Sequence, residues 1–487
     1  MKSNEMEKLV NYIKEKNLDI TQRTVPFRGG KVLILYIAQL TDRPTLAQEV
    51  VRPLILQCSQ GKARLTAQGT LDEIIYADSC KIGSGYEKIL DLILSGMVVV
   101  LFTTDDNYII VNLKKVAQRS IPTPQLTYTL RGPQDCFTEN LDSNLSLIRY
   151  RVKDEKLRIK FFEVGVRTKE RVAVTYIEDI ANDTVIGEVQ KRIDNINVDA
   201  IGESGELQAF LLNDNSKLFP VMGLIERSDM ACYLLMEGKV VVLVDGSEFA
   251  LSAPMTFQEF LYSCDDRYDN KYFGMLARFL RFAAIAIALT ASSVYVAITS
   301  FHTEVLPGDY AISLAQMNAN VPFSSLVGAL ILEFIMELLR EALIRVPKQI
   351  GPAIGIVGAI VIGQAAIAAG FFSPVLLTIA AVSLLSSFAI PDYTLVNPFR
   401  ILKFALLMFT GAMGFLGFTA FLTALGIHLV SLNSFGVPYL APWMPFDRHE
   451  FARTLINQSD TARNRHEYLK TKDRVRLRKS RGDDRNH

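Results

Sequence analysis

The sequence predicts an α+β soluble N-terminal region of two α/β subdomains, followed by an α-helical polytopic membrane domain. Residues 351–390 are forty consecutive positions without a formal charge, which requires lipid or the interior of a membrane helix bundle around them. Charged side chains are also unevenly distributed: residues 1–270 carry 70, residues 271–446 carry 14 and residues 447–487 carry 19. The chain therefore divides into a polar region, an apolar region and a charged tail.

The polar region is long enough for two ordinary domains of ~100–200 residues each. We place them at residues 1–130 and 131–270, with the membrane domain at 271–446 and the tail at 447–487. The chain begins with a polar, helix-like stretch that lacks the apolar run and small-residue cleavage site of a secretory signal. We therefore expect the N-terminal region to stay in the cytoplasm.

A weak repeat suggests that the two subdomains are related. Residues 89–111 and 232–254 each contain a helical stretch, a glycine, the run Val-Val-Val-Leu, a polar turn and another apolar run. Gly96 and Gly238 are placed to end the helices, and valine runs favour buried strands. The same order also occurs in unrelated α/β folds, so the pattern alone leaves duplication open.

The most distinctive soluble stretch joins the two copies. Two prolines predict an extended linker, and the Arg-Gly-Pro turn at residues 131–133 precedes a predicted amphipathic helix. Arginine is favoured at protein interfaces. The candidates for an assembly surface are Arg131, Asn144, Arg149 and Arg151, although a solvated helix with ordinary salt bridges explains the same pattern.

Five membrane spans are predicted, at residues 275–301, 323–345, 351–372, 374–390 and 404–425. Crossing a hydrocarbon core takes ~20 residues. Arg278 and Arg281 lie in the first turns of the first span, whereas Arg400 and Lys403 precede the fifth. The directions of the five spans alternate consistently when every basic cluster is placed in the cytoplasm.

Five spans leave the tail outside, yet residues 447–487 carry 12 Lys and Arg against 7 acidic residues, which places the tail in the cytoplasm. Residues 428–446 are the candidate for returning the chain. Four residues there forbid a regular helix: Gly436, Pro438, Pro442 and Pro445. A re-entrant element and an interfacial hairpin fit this broken segment equally well.

The second predicted span carries five charges on one helical face. Its glutamates recur at every fourth position, and its arginines lie beside them: Glu333, Glu337, Arg340, Glu341 and Arg345. Ionisable groups at membrane depth are rare and usually face the bundle interior, water or each other. We take these residues as candidates for a channel vestibule that attracts cations. An interfacial helix or a structural ion-pair seam between subunits is an equal alternative.

The third predicted span combines a small-residue stripe with an apolar face. The stripe lets a neighbouring helix approach closely and consists of Gly351, Gly355, Ala359 and Gly363. The adjacent face contains Val357, Val361 and Gln364, and such a lining can close a pore by dewetting. We take this face as a candidate gate, with ordinary helix packing as the alternative.

Other function classes find little support. The five cysteines are widely spaced without a C-x-x-C pair, and the five histidines are scattered. No catalytic, phosphate-binding or metal motif is present, so we expect a protein that is not an enzyme and needs no cofactor or metal. The charge pattern does not indicate a nucleic-acid partner.

Several long motifs occur in one order: RGPQDCFTENLDSNLSLIRYR, FPVMGLIERSDM, ELLREALIRVP, IGIVGAIVIGQAA and SFGVPYLAPWMPF. On these motifs, the chain resembles the A subunit of GerA-type spore germinant receptors over roughly residues 25–450. Ser228 departs from the family pattern, which has proline there, and this departure predicts a locally altered turn.

The resemblance implies a protein of the inner membrane of bacterial endospores, with its N-terminal region facing the spore core. It implies a permease-like B subunit, which senses the nutrient, and a lipoprotein C subunit as partners. The A subunit would be a homo-oligomer in membrane lipid that forms a channel for monovalent cations. Independently of the resemblance, Pro347 joins the charged helix to the glycine-rich one, and we expect gating to act through that junction. The stage V sporulation AF-type protein shares this architecture, so an accessory spore ion channel is a close alternative.

Two further hypotheses come from other classes. A solute transporter would use the broken segments around Pro391 and Pro438 as a binding site at the membrane midplane. A membrane scaffold would use its helices only to anchor a signalling domain.

Overall fold

The computed structural model describes residues 2–16, 18–27, 29–59, 65–114, 132–212, 218–263, 266, 271–319, 321–345, 364–456 and 464–475. These residues belong to two compact units. Unit 1 comprises Met1–Asn215, Met222–Pro254 and Arg463–His487, and unit 2 comprises Ser216–Val221 and Met255–Ala462.

Unit 1 begins with a five-stranded antiparallel sheet in the order β1-β2-β4-β5-β3. Its strands are β1 (Thr21–Phe27), β2 (Gly30–Tyr36), β3 (Cys80–Ser84), β4 (Val98–Phe102) and β5 (Asn107–Val111). Its helices are α1 (Lys2–Glu15), α2 (Arg43–Thr45), which continues through a π-helical turn (Leu46–Val51) into α3 (Arg52–Ser59), then α4 (Ala67–Glu73) and α5 (Ile89–Leu94).

A second five-stranded antiparallel sheet follows in the order β6-β7-β9-β10-β8. Its strands are β6 (Leu157–Val164), β7 (Glu170–Ile177), β8 (Gly223–Ile225), β9 (Val240–Val244) and β10 (Ala250–Ala253). Its helices are α6 (Leu141–Arg151), α7 (Asp183–Asp194), α8 (Ser204–Leu211) and α9 (Ser228–Met236). Strand for strand, the two sheets have the same order, so the two subdomains share one topology and the weak sequence repeat marks a structural repeat.

The repeated motif folds as its residues predict. All five residues of β4 and all five of β9 are buried, because both faces of these central valine-rich strands are covered. Gly96 and Gly238 precede them with φ of 88° and 92°, the left-handed conformation in which glycine ends a helix without steric cost. The first subdomain buries apolar side chains on both faces of its sheet, with α1 on one face and α3 on the other.

Unit 2 is mainly helical. Its helices are α10 (Lys271–Ser300), α11 (Gly308–Asn318), α12 (Ser325–Arg345), α13 (Pro374–Phe388), α14 (Tyr393–Met413), α15 (Phe415–Ser431) and α16 (Arg448–Ile456). A short helical stretch also covers residues 364–368. In the described part of the chain, Tyr272–Ser300 and Tyr393–Met413 are long and apolar enough to cross a membrane, while α13 and α15 are shorter apolar helices.

The predicted fifth span, residues 404–425, is not a single helix. Gly414 has φ 61° and ψ −141°, which interrupts the helix between α14 and α15. Phe409 and Phe421 then contact each other across the break, with ring centroids 5.5 Å apart. The segment is therefore a tight helical hairpin, and α15 returns along α14.

Side-chain contacts fix the directions of the other helices. The end of α10 meets the end of α14, because a Cβ on Gly414 would lie 3.0 Å from Phe301. Leu326, near the start of α12, packs on Gly411 near the end of α14. In the same way, Leu376 near the start of α13 packs on Gly328 in α12. Consequently α10 and α14 run one way, whereas α12, α13 and α15 run the other.

The broken segment predicted at residues 428–446 begins as the last turn of α15 and continues as a two-stranded hairpin, Asn433–Ser434 with Val437–Pro438. Tyr439 follows and is fully buried. Its carbonyl accepts from Phe257 N at 2.8 Å, and its ring packs 6.4 Å from that of Phe219. The described hairpin fits the interfacial alternative better than a half-helix.

Gly414 provides a test of this architecture. Changing Gly414→Ala should lower the thermal unfolding midpoint of the detergent-solubilised chain, because the new Cβ meets Phe301 at 3.0 Å and alanine disfavours the required backbone conformation, at a cost of ~1–3 kcal/mol. Gly426→Ala in α15 is the control, since nothing lies within 4 Å of its Cβ. That change should leave the midpoint unchanged or raise it, because alanine stabilises a helix interior by roughly 0.5–1 kcal/mol relative to glycine. Equal effects of the two changes would contradict the hairpin.

Candidate functional site

A cluster of charged side chains lies inside unit 2, between α12 and α14. It consists of Glu333, Glu337, Arg340, Arg400 and Lys403, and we call it the charge cluster. Helical spacing places the first three residues on one face of α12 and the last two on one face of α14. Because α12 and α14 are antiparallel neighbours, the face of α12 that carries the glutamates packs against the face of α14 that carries Arg400 and Lys403.

Glu333 and Lys403 form the most buried pair in the charge cluster. Glu333 is 1% exposed and Lys403 is 5% exposed, and Lys403 Nζ lies 2.6 Å from Glu333 Oε2. The other carboxylate oxygen of Glu333 accepts a hydrogen bond from the hydroxyl of Ser292 in α10. Removing two charges from water costs several kcal/mol per ion unless both are paired and hydrogen-bonded. The pair meets this requirement.

Glu337 connects the pair to the two arginines. Its Oε2 accepts from Arg400 Nε at 2.7 Å, while its Oε1 lies 3.6 Å from Lys403 Nζ and 3.9 Å from Arg340 NH1. One carboxylate thus faces three cations, and the charge cluster has one more positive group than negative groups. Glu337 and Arg340 lie on the same helix at the i,i+3 spacing that lets side chains interact.

Arg340 extends the charge cluster to α13. It is 4% exposed, donates to the hydroxyl of Ser387, and its guanidinium lies 5.2 Å from the Phe388 ring. Arg340, Ser383, Ser387, Arg400 and Lys403 border a cavity of about 10 Å³, which is about the size of one water site. The charged face of α12 is therefore packed against its neighbours and does not line an open passage in the described residues.

The exterior of the same helices is apolar. Large side chains that are more than half exposed occur on α10, α12, α13, α14 and α15, namely Phe279, Leu338, Leu385, Met408 and Ile427. Soluble proteins show the opposite arrangement, with charges outside and apolar groups inside. Unit 2 therefore has the polarity of a protein surrounded by hydrocarbon.

The remaining predicted vestibule and gate residues are distributed as follows. Glu341 lies on an exposed part of α12, and Gln364 is exposed at the start of the short helical stretch. The backbone of Arg345 ends α12, but its side chain lies outside the described residues. Also outside them are Val357, Val361, Gly351, Gly355, Ala359 and Gly363. For this part of the site the gate and the packing stripe stay predictions.

Arg400 and Lys403, which the sequence predicts at the flank of a span, both lie within α14 and face the glutamates of α12. The sequence pattern places them at the cytoplasmic end because they are the only basic residues between the fourth and fifth predicted spans. Arg400 and Lys403 are three positions apart and Glu333 and Glu337 are four apart, so each pair lies on one face of its helix. These two spacings are the signal in the sequence that could identify the basic pair as the partner of the acidic pair.

The candidate assembly residues make contacts within the chain. Asn144 is 1% exposed; its Oδ1 accepts from Thr138 N at 2.7 Å and its Nδ2 donates to Thr138 O at 2.6 Å. Arg149 pairs with Asp19 at 2.7 Å and so joins the two subdomains. Arg151 pairs with Asp135 at 2.6 Å. Arg131 lies outside the described residues.

Ser228 is the first residue of α9, a position where proline is also favoured. Unlike proline, serine has an N–H, and it donates to Asp135 O at 3.1 Å. Arg227 beside it is fully buried and forms a two-pronged pair with Asp229, at 2.9 and 2.7 Å. Sequence reasoning missed Arg227 as an interior residue.

The described thiols have the properties of packing residues. Burial raises the pKa of Cys136 to about 12, with further contributions from charges that include Glu226, and burial likewise raises the pKa of Cys232 to about 12. Neither thiol is therefore a ready nucleophile at neutral pH. Among the residues that the structure describes, no group of three or more His, Cys, Asp or Glu side chains could hold a metal ion.

Comparisons with known proteins place these features in a family. The family model described as Bacillus/Clostridium GerA spore germination protein matches residues 7–468. Spore germination protein GerLA of Bacillus cereus is 35% identical over 458 residues, covering 93% of each chain. Spore germination protein B1 of Bacillus subtilis (strain 168) is 37% identical over 431 residues, covering 88% of each.

A solved structure is also similar. The crystal structure of the N-terminal domain of the A subunit of the Bacillus megaterium spore germinant receptor GerK3 matches with a TM-score of 0.37 and 22% sequence identity. The match covers 51% of this chain and 94% of that one.

The charge cluster predicts a characteristic pattern of stability. Lys403→Met should destabilise the solubilised chain by about 3–5 kcal/mol, because it leaves Glu333 buried without its cation. The double variant Glu333→Gln/Lys403→Met should recover most of that loss, since neither charge is then unpaired. Thermal unfolding of the wild type, both single variants and the double variant measures the coupling.

Lys191→Met is the matched control, because Lys191 is exposed on α7. It should leave the unfolding midpoint nearly unchanged. Additive losses in the double variant, with no recovery, would contradict a Glu333–Lys403 pair.

Proposed function

This chain belongs to the Bacillus/Clostridium GerA spore germination protein family, and we propose that it is the A subunit of a nutrient germinant receptor in the inner membrane of the spore. The family match over residues 7–468 supports a role in germination. The names of the relatives GerLA and B1, both spore germination proteins, support the same role. The two related α/β subdomains would face the spore core.

One observation carries the membrane location, namely that unit 2 has charges inside and apolar groups outside. Lys403 is 5% exposed, whereas Leu385 is 66% exposed. In water such an arrangement would bury charges and leave a large apolar surface hydrated. In a bilayer the apolar surface contacts lipid, and the paired charges stay in the protein interior.

The helix directions support six crossings. Of the described helices, α10 and α14 run one way and α12, α13 and α15 the other. Because α12 and α13 point the same way, the chain between them has to return from one end of the helices to the other. The predicted third span, residues 351–372, would supply this return. The six directions then alternate, and α15 supplies the crossing that the sequence analysis lacked.

We place the ion route between copies of the chain. The charge cluster fills the space between α12, α13 and α14 and leaves a cavity of only about 10 Å³, so a path through this part of one protomer is blocked. Gln364, Ala365 and Ala368 form an exposed face with mostly small side chains, and the predicted gate residues Val357 and Val361 precede it in the sequence. In a ring of copies this face would meet its neighbours or the central axis.

The charge cluster would also set the mechanics of gating. It holds α12 against α14 through Glu333–Lys403 and Glu337–Arg400. Any movement of α12 is then passed to the junction at Pro347 and to the gate beyond it. Glu341, on the exposed part of α12, would attract monovalent cations to the vestibule.

The proposed partners are those that the family resemblance implies, and the energetics of gating require that one of them be coupled to this chain. A ligand shifts an open–closed equilibrium only by its difference in affinity for the two states. We propose that the nutrient binds a permease-like B subunit, that a lipoprotein C subunit completes the complex, and that contacts between A and B transmit the binding energy.

Conductance measurement tests the proposal. The receptor, purified with its B and C subunits and placed in a planar bilayer, should conduct monovalent cations when the nutrient is added. Val361→Asn in the A subunit should leak without nutrient, because a polar side chain removes the dewetted barrier. Val382→Asn is the matched control on α13, where Val382 is exposed on the outside of the helices, and it should not leak.

Absence of nutrient-induced current in the wild type would contradict the channel and favour a scaffold. Equal leak from Val361→Asn and Val382→Asn would contradict the proposed gate.

A further inference from the structure

The duplication makes positions in the two repeats directly comparable. The end of β2 and the turn after it, Tyr36 to Arg43, correspond to the end of β7 and its turn, Tyr176 to Asp183. Both segments contain Tyr-Ile, then an apolar residue three positions after the isoleucine (Leu40 or Ile180), and each leads into a helix. In each repeat, the glycine after a later helix packs against this apolar residue. Gly96, after α5, lies against Leu40 in repeat one, and Gly238, after α9, lies against Ile180 in repeat two.

In repeat one, the segment that follows β5 closes this corner. Asp42 N donates to Leu113 O at 2.9 Å, and Thr41 forms a β-bridge with Lys114. The Lys114 side chain covers Gly96, because a Cβ there would lie 3.5 Å from Lys114 Cδ. In repeat one, the corner is therefore covered by residues that directly follow its last strand, β5.

In repeat two, the chain passes after β10 into unit 2 at Met255. The corner is closed instead by residues from the C-terminal tail. Lys472 N donates to Ile180 O at 3.0 Å, and Asp473 N donates to Asp179 O at 3.1 Å. Thr471 covers Gly238 as Lys114 covers Gly96, and a Cβ on Gly238 would lie 2.5 Å from Thr471 Cγ2.

The tail is itself folded to make this contact. Asn464 and Val475 form a β-bridge, and Arg465 N donates to Arg474 O at 2.7 Å. The Arg465 side chain is buried and donates to Met236 O at 2.7 Å, and to two carbonyls of the tail. Lys472 adds an ion pair with Asp183 at 2.7 Å. Backbone hydrogen bonds, a buried arginine and an ion pair thus fix the tail in one register.

We infer that residues 464–475 are the closing segment of the second repeat, and that the main part of unit 2, Met255–Ala462, is an insertion between β10 and this segment. The binding surface comprises residues 179–183 and 236–238 of the second subdomain, and its occupant is the chain's own tail. The surface exists because it repeats the one that Leu113 and Lys114 cover in the first subdomain. Subdomain two is incomplete without residues that follow the helical unit.

One consequence concerns topology and rests on the proposed membrane location, whereas the docking itself does not. The helical unit starts and ends in the same repeat, so an even number of crossings must separate β10 from the tail.

Hydrogen exchange of the full chain in detergent tests the docking at individual amides. In the wild type, the amides of Arg465, Lys472 and Asp473 should exchange on the order of tenfold or more slower than in Gly238→Ala. The new Cβ would meet Thr471 Cγ2 at 2.5 Å and displace the tail. Adding Thr471→Ser, which removes that methyl group, should restore most of the protection.

Gly96→Ala is the matched control. It imposes the same left-handed backbone strain at the equivalent position, but its nearest contacts are 3.4 Å or more away, so the tail amides should stay protected. The backbone amides of β9 serve as the folding control: slow hydrogen exchange there in every variant shows that subdomain two remains folded. Unprotected tail amides in the wild type, or equal tail protection in Gly238→Ala and wild type, would overturn the inference.

Discussion

The pairing of Glu333 with Lys403 is the interaction on which the helical unit depends. Neither ion is tolerable alone in an apolar interior, because each would lose several kcal/mol of hydration without compensation. Their 2.6 Å contact, extended by Ser292 and Glu337, therefore fixes the register of α12 against α14 and of both against α10. Apolar packing alone discriminates poorly between registers, whereas a buried ion pair leaves few alternatives.

Local patterns in the sequence predicted local structure well. Gly96 and Gly238 end helices as expected, the valine runs are buried strands, and α12 ends at the predicted Arg345. Contacts between distant segments escaped prediction for a physical reason. Hydropathy treats Lys403 as the flank of a span, and only its partner 70 positions earlier explains its burial. Gly414 resembles any glycine in an apolar run, because the contact with Phe301 that leaves little room for a Cβ there is not visible in the sequence.

Duplication and insertion together describe the architecture. Two copies of one α/β fold are joined by α6, whose Arg149 reaches Asp19 of the first copy. The second copy is interrupted by the helical unit and is completed by the tail. Thr471 and Lys472 return the chain to the subdomain from which it departed.

The central claim is that copies of this chain surround an ion route, with each charge cluster kept inside its own protomer. An electron cryomicroscopy image of the complete receptor in lipid nanodiscs tests it most directly. The account predicts a symmetric ring in which residues 357–364 approach the axis, Glu333 contacts Lys403 of the same chain, and lipid covers Leu385. A solitary A subunit, or an image in which the α12 charges face lipid, would contradict it.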